Sequence, residues 1–124
     1  SPQMKNATVN ELVAHDVLTV DKFLATEESK TAYYVLSGTV VASAPEGNKV
    51  DLETYGNFTL KDETGEVYVY GVLNNMFEKK NKQFGTLGVK EGDKITILGY
   101  HSSYNGVSQV GGAIFIKNEP AAAE

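Results

Sequence analysis

Apolar and polar positions alternate most cleanly between Gly56 and Leu73, GNFTLKDETGEVYVYGVL, where the chain reads as a β-hairpin. In the first arm Phe58 and Leu60 alternate with Asn57, Thr59 and Lys61. In the second, Val67 and Val69 alternate with Tyr68 and Tyr70. A repeat of two marks a half-buried strand, because successive side chains point to opposite faces. Between the arms, Asp62-Glu63-Thr64-Gly65 supplies a short polar turn whose glycine is expected to take the positive φ of a bulged type I turn. With the aliphatic set turned inward, Tyr68 and Tyr70 stand side by side on the outer face, near Asn57, Thr59 and Lys61. That face is either a binding surface or plain sheet cover, since tyrosine suits strands in any case.

The remaining pattern arranges itself around this hairpin. Thr8-Val9-Asn10-Glu11 has the form of a capping box, which predicts a short helix through Leu12 to His15. Thr19 is placed to cap a second helix, VDKFLATEES, with Val20, Phe23 and Leu24 on one face. From Thr31 the signal turns to strand. YYVLSGTVVAS is rich in β-branched and aromatic residues, with Tyr34, Leu36, Gly38 and Val40 on one side; Gly38 predicts a sharp bend or a close backbone approach. Ala44 to Tyr55 is too long for a tight turn and reads as a surface loop. Asn74 to Gln83 breaks the strand pattern, and Phe84 to Val89 offers one or two helical turns. A fourth strand follows at Lys94 to Tyr100, with Ile95 and Ile97 alternating with Thr96 and Leu98. His101 to Gly106 is expected to be a loop with an Asn-Gly pair, and Val107 to Ile116 a fifth strand broken by Gly111-Gly112.

Five strands, a leading helix, a short helix between the third and fourth strands and mid-strand glycines for curvature together predict a mainly β, five-stranded Greek-key OB-fold barrel. An immunoglobulin-like sandwich would need about seven strands. The runs YVLSGTVVAS, YGNFTLKDETGEVYVYGV and FGTLGVKEGDKITILGYHSSYNGVSQVGG resemble small bacterial OB-fold domains described as nucleic-acid-binding, especially modules of secreted proteins and lipoproteins. The resemblance spans roughly Thr19 to Lys117 and implies an extracytoplasmic setting. The chain thus divides into a partly helical extension at 1–18, an OB-fold domain at 19–117 and a flexible tail at 118–124.

The 124 residues suit one domain with a substantial core. Apolar runs are far shorter than the roughly 20 residues of a membrane span, and SPQMKNATVN shows no signal-peptide pattern. There is no cysteine, which excludes disulfides, thiolate metal sites and cysteine nucleophiles. Net charge is −5, and all eleven basic residues are lysines. Arginine is the usual bidentate reader of phosphate and guanine, so its absence argues against sequence-specific duplex recognition. Residues 1–73 hold five lysines against eleven acids (−6), whereas residues 74–124 hold six against five (+1). Attraction for a polyanion would therefore be local, at Lys79, Lys80 and Lys82.

OB-folds hold ligands on the face of strands 2 and 3 and in the loops joining strands 1 to 2 and 4 to 5. Here that selects Thr59, Lys61, Tyr68 and Tyr70 on the sheet, Asn48 and Tyr55 in the first loop, and Tyr100, His101, Tyr104 and Asn105 in the second. Tyrosine beside lysine and asparagine suits stacked bases, worth about 1–3 kcal/mol each, and sugar rings almost as well. Lys61 with Lys79, Lys80 and Lys82 would contact phosphates. The leading expectation is a noncatalytic module that binds single-stranded nucleic acid with little sequence preference. The alternative is an extracytoplasmic module that takes a protein or glycan on the same face, and a negative field there would favour it. Catalysis is not expected. His15 and His101 are far apart in sequence, no ligand pair stands at metal spacing, no phosphate loop is present, and Asp62, Glu63 and Glu66 cluster at a turn where solvation accounts for them. No cofactor is expected.

Overall fold

The structure, a computed structural model, describes residues 17–73 and 84–121. The expected capping box, the helix through His15 and the lysine cluster of Lys79, Lys80 and Lys82 lie outside the described residues. The protein is mainly β. A short helix α1 (Val20–Leu24) precedes β1 (Tyr33–Val41), β2 (Asn57–Asp62), β3 (Gly65–Tyr70) and β4 (Val72–Leu73); a 3-10 turn at Phe84–Leu87 then leads to β5 (Lys94–Tyr104) and β6 (Val107–Glu119). The six strands form one sheet in the order β3-β2-β1-β5-β6-β4, and a further β3–β6 pairing closes a ring of hydrogen bonds, giving a barrel-like body. Neighbouring strands run antiparallel except at β6, which pairs parallel with both β3 and β4. No helix among the described residues is long and apolar enough to cross a membrane.

The alternating pattern sorts side chains as expected. Phe58, Leu60, Val67 and Val69 join Leu36, Val40, Ile95, Ile97 and Val110 inside the ring. β1 serves two partners, pairing Tyr33–Thr39 with β5 and Thr39–Val41 with β2. Gly38 makes that crossover possible, because a Cβ there would lie 2.6 Å from the Lys61 carbonyl oxygen. Leu98, which the alternation turns away from the main core, is nonetheless fully buried in a second cluster with Val35 and Ile114 on the opposite face of the sheet.

Two aromatic plugs close the interior. At one end Phe23 of α1, wholly buried, meets Tyr34 edge-on at 5.9 Å and lies 5.0 Å from the His101 ring. At the other end of β2, Phe84 of the 3-10 turn packs 6.0 Å from Phe58. The helix is half the expected length, ending at Ala25, and Leu24 remains exposed. Thr19 does not cap it. Its hydroxyl donates to Asp21, and the Val20 N–H donates instead to Oδ2 of Asp62 at 2.9 Å, 42 residues away.

Asp62 therefore does two jobs at the hairpin turn. Its Oδ1 accepts the Thr64 hydroxyl and the N–H groups of Thr64 and Gly65, while Oδ2 secures the helix. Because the carboxylate organises the turn, Gly65 needs no left-handed backbone and has none, contrary to expectation. Burial pushes the Asp62 carboxyl up, but the Thr64 hydroxyl and the three N–H donors outweigh it and hold the carboxyl below its ordinary value. Asp93, bound by the Asn118 amide and by the N–H groups of Ala121 and Lys90, is also held low against its burial. A depressed folded-state value means that the stabilisation is complete above about pH 4 and disappears as pH falls through the folded value. Urea unfolding should accordingly show a lower midpoint at pH 3 than at pH 7. Asp62→Ala should cost about 1–2 kcal/mol at pH 7, the usual loss for a helix cap, and should shrink that acid sensitivity. An unchanged midpoint for the variant would remove Asp62 from this role.

The β5–β6 hairpin runs further than its sequence suggests. His101 to Tyr104, expected in a loop, are strand, and the turn is only Asn105-Gly106, with φ of 52° and 79°. Positive φ at both central positions is what Asn-Gly supplies at low cost in a two-residue hairpin turn. β6 continues through Glu119, beyond the expected end at Ile116, and the Ala121 N–H is fastened to Asp93 at 2.9 Å.

Candidate ligand-binding groove

The loop from Ala44 to Tyr55 is built in two halves. Asp51 organises the second: its Oδ1 accepts the N–H groups of Glu53 and Thr54, and its carbonyl accepts those of Gly56 and Asn57. The first half is fastened to the outer face of the sheet by two hydroxyls. Thr59 Oγ1 donates to the Ser43 carbonyl at 2.8 Å, and Tyr68 Oη to the Lys49 carbonyl at 2.7 Å. The loop thus roofs part of the face on which the two tyrosines were expected to stand open. Tyr68 is 3% exposed and Thr59 is buried as well. Both point outward as the alternation requires, and both are covered. Burial pushes the Tyr68 phenol above its ordinary value.

Where the roof ends, a groove begins. A cleft of about 520 Å³ is walled by Lys49, Asp51, Tyr55 and Asn57 on one side and by Val72, Gly112 and Ala113 on the other, with Tyr70 at its rim. It shares Lys49, Asn57 and Tyr70 with a second cleft of about 310 Å³, which adds Asn48, Tyr68, Tyr104 and Gln109. A third depression of about 410 Å³ shares Tyr68 and reaches Glu66 and Val107. The three follow the line where β3 meets β6. Tyr70 and Tyr104 are 52% and 51% exposed, so each offers a ring to a ligand while its other side rests on the protein.

The other expected site residues lie elsewhere. Lys61, exposed on the same face as Tyr68, lines a separate depression with Leu18, Thr39 and Lys94. Tyr100 is not in a loop: it belongs to β5, meets Tyr33 edge-on at 5.6 Å, and covers Gly111 and Gly112, where an added Cβ would come within 2.5 Å of its ring. His101, expected in a loop, is a buried strand residue. Its Nδ1 faces the Thr26 carbonyl at 2.9 Å and its Nε2 the Ser108 hydroxyl at 2.9 Å, a structural tie between the end of α1 and the hairpin. Asn105 is exposed at the hairpin turn. Of the ten candidates on the sheet and in the two loops, Asn48, Tyr55, Tyr68, Tyr70 and Tyr104 line the two clefts that Asn57 also lines, and Thr59 reaches only the third depression. Lys49 and Gln109 were missed by the sequence reading. The lone glutamine of VSQVGG, flanked by core Val110, is the signal that could have found the latter.

Of the charged residues described, Lys49 and Asp51 line the two clefts, one of each sign, while the loop around them is acidic. That loop carries Glu46, Asp51 and Glu53 against Lys49, while Glu66 lies across the β2–β3 ladder from Lys61. Among the described residues no three His, Asp or Glu side chains gather as metal ligands do.

The Tyr68 latch has a direct test. Tyr68→Phe keeps the ring and removes the hydroxyl that holds Lys49, so amide hydrogen exchange across residues 44–50 should accelerate, with about 1 kcal/mol lost in stability. Unchanged exchange would show that the loop is held by other contacts.

No protein-family model and no curated protein matches the chain. Among solved structures it is similar to the hypothetical protein ygiW from E. coli, at 14% identity over 87% of this chain and 92% of that one, with a TM-score of 0.50. At this identity the likeness is one of fold.

Proposed function

We propose that the chain is a noncatalytic OB-fold module whose groove binds a neutral, extended, hydroxyl-rich ligand, a glycan, in an extracytoplasmic setting. The OB-fold reading rests on strand order. If β3 and β4 are counted as one strand kinked at Gly71, five strands form the ring, β1 pairs both β2 and the penultimate strand, and the third strand meets the last in parallel. The observation that carries the glycan reading is the lining of the groove: exposed Tyr70 and Tyr104 interleaved with the amides of Asn48, Asn57 and Gln109, with one lysine among the described residues. Aromatic faces receive the C–H face of a sugar ring, and amides offer both a donor and an acceptor to hydroxyls. Among the described residues, repeated phosphates would meet Lys49 alone, beside the Asp51 carboxylate.

Single-stranded nucleic acid is the second reading, favoured by two half-exposed tyrosines that line one cleft together with Lys49 and Asn57. The two are separated by titrating an array of neutral glycans and a fluorescent fifteen-nucleotide oligothymidylate over a range of salt. The glycan reading expects binding that salt does not change. Oligothymidylate binding that is stronger than any glycan and falls steeply with salt would replace it with the second reading. No binding in either arm would end both.

A further inference from the structure

Gln109 stands out among the polar residues of the groove. It is 9% exposed, lines the cleft that holds Tyr70 and Tyr104, and its side-chain amide takes part in no hydrogen bond among the described residues. The stem is buried, but the amide ends are not among the buried unpaired polar atoms of the described residues, so they open to the cleft, where a ligand can reach them. Its surroundings are well defined. Gln109 is the register partner of Tyr68 across the parallel β3–β6 junction, and Asn57 is the partner of Tyr70 across β2–β3. The Tyr68-Tyr70 segment is therefore bracketed by two amides on the outer face, one from each neighbouring strand.

We propose that Gln109 is the specificity-determining residue of the groove, its amide reading two neighbouring hydroxyls of a sugar ring seated on Tyr70 or Tyr104. This rests on the glycan reading given above. The chemistry follows from the amide's two ends: Nε2 donates, Oε1 accepts, and adjacent hydroxyls return one of each at matching spacing. A row of phosphate oxygens accepts only and would leave Oε1 unpaired. A site that hydrogen-bonds a hydroxyl rejects ligands that lack it or place it wrongly, because its own group, shut off from water by the ligand, is then stranded.

Calorimetric titration of the full chain with cellotetraose, xylotetraose, mannotetraose and maltotetraose tests this, using wild type, Gln109→Leu and Gln109→Asn. Wild type is expected to bind at least one sugar and to rank the four. Gln109→Leu should lose about tenfold or more in affinity for the preferred sugar and flatten the ranking, with an unfolding temperature close to wild type because the amide holds no other part of the described structure. Gln109→Asn, one methylene shorter, should lose affinity similarly and serves if the leucine variant does not fold. If wild type binds none of the four, the glycan reading falls and takes this inference with it. If wild type binds and both variants keep its affinity and ranking, the inference alone falls. A marked drop in unfolding temperature in both variants would make the amide structural and overturn the inference.

Discussion

Phe23→Ala should lower the stability of the fold by about 3–5 kcal/mol, the range for emptying a buried aromatic site. The side chain is wholly buried at one mouth of the ring, between Tyr34 and His101, on a helix of only five residues. So short a helix has little stability of its own and is held by this side chain, by Val20 and by the Asp62 cap. Against a total of about 5–15 kcal/mol for a domain, the loss is a large share. Urea unfolding followed by circular dichroism would show a lower midpoint with little change in slope. Leu24→Ala, one residue along and exposed, should stay within about 0.5 kcal/mol of wild type. Equal losses for the two variants would show that α1 does not plug the ring.

The second large effect is on binding. On the glycan reading proposed above, Tyr70→Ala should weaken the preferred sugar by roughly tenfold or more, a loss within the range of about 1–3 kcal/mol found when an aromatic ring that stacks a nucleic-acid base is removed. Because the ring is half exposed at the rim, the unfolding temperature should hardly move. Tyr100→Ala makes the opposite pair of outcomes. That ring covers Gly111 and Gly112 and meets Tyr33, so its loss should destabilise the hairpin and leave affinity unchanged wherever the protein is folded. Binding that falls for Tyr100→Ala and not for Tyr70→Ala would move the ligand to the other face of β6.

The contrast between these tyrosines shows what the sequence discloses. Period-two alternation places each side chain on a face, and it does so correctly for Phe58, Leu60, Val67, Val69, Leu36 and Val40. It says nothing of what lies over the outer face. Tyr68 and Tyr70 are indistinguishable in pattern, yet one is roofed and the other open, because the Lys49 carbonyl that covers Tyr68 comes from an irregular loop 19 residues upstream. His101 was misplaced for a related reason. The run HSSY is polar enough to read as a loop, but its residues continue a long hairpin whose inner side meets α1, and the partners of His101, Thr26 and Ser108, come from separate elements. The helix cap from Asp62 likewise spans 42 residues. Local pattern fixes facing; burial and partners are set by chain segments that only the tertiary structure brings together.

The parallel junction between β3 and β6 is brief, registering only Tyr68 with Gln109 and Val69 with Val110. The hairpins on either side, β2–β3 and β5–β6, join residues close in sequence and so can form early, whereas this junction joins residues some forty positions apart and must wait for both. Tyr68 and Gln109 also line the cleft, so the cleft exists only once this junction has formed and is lost when it opens. A guest lying across it would act as a rivet, slowing that opening in proportion to its occupancy.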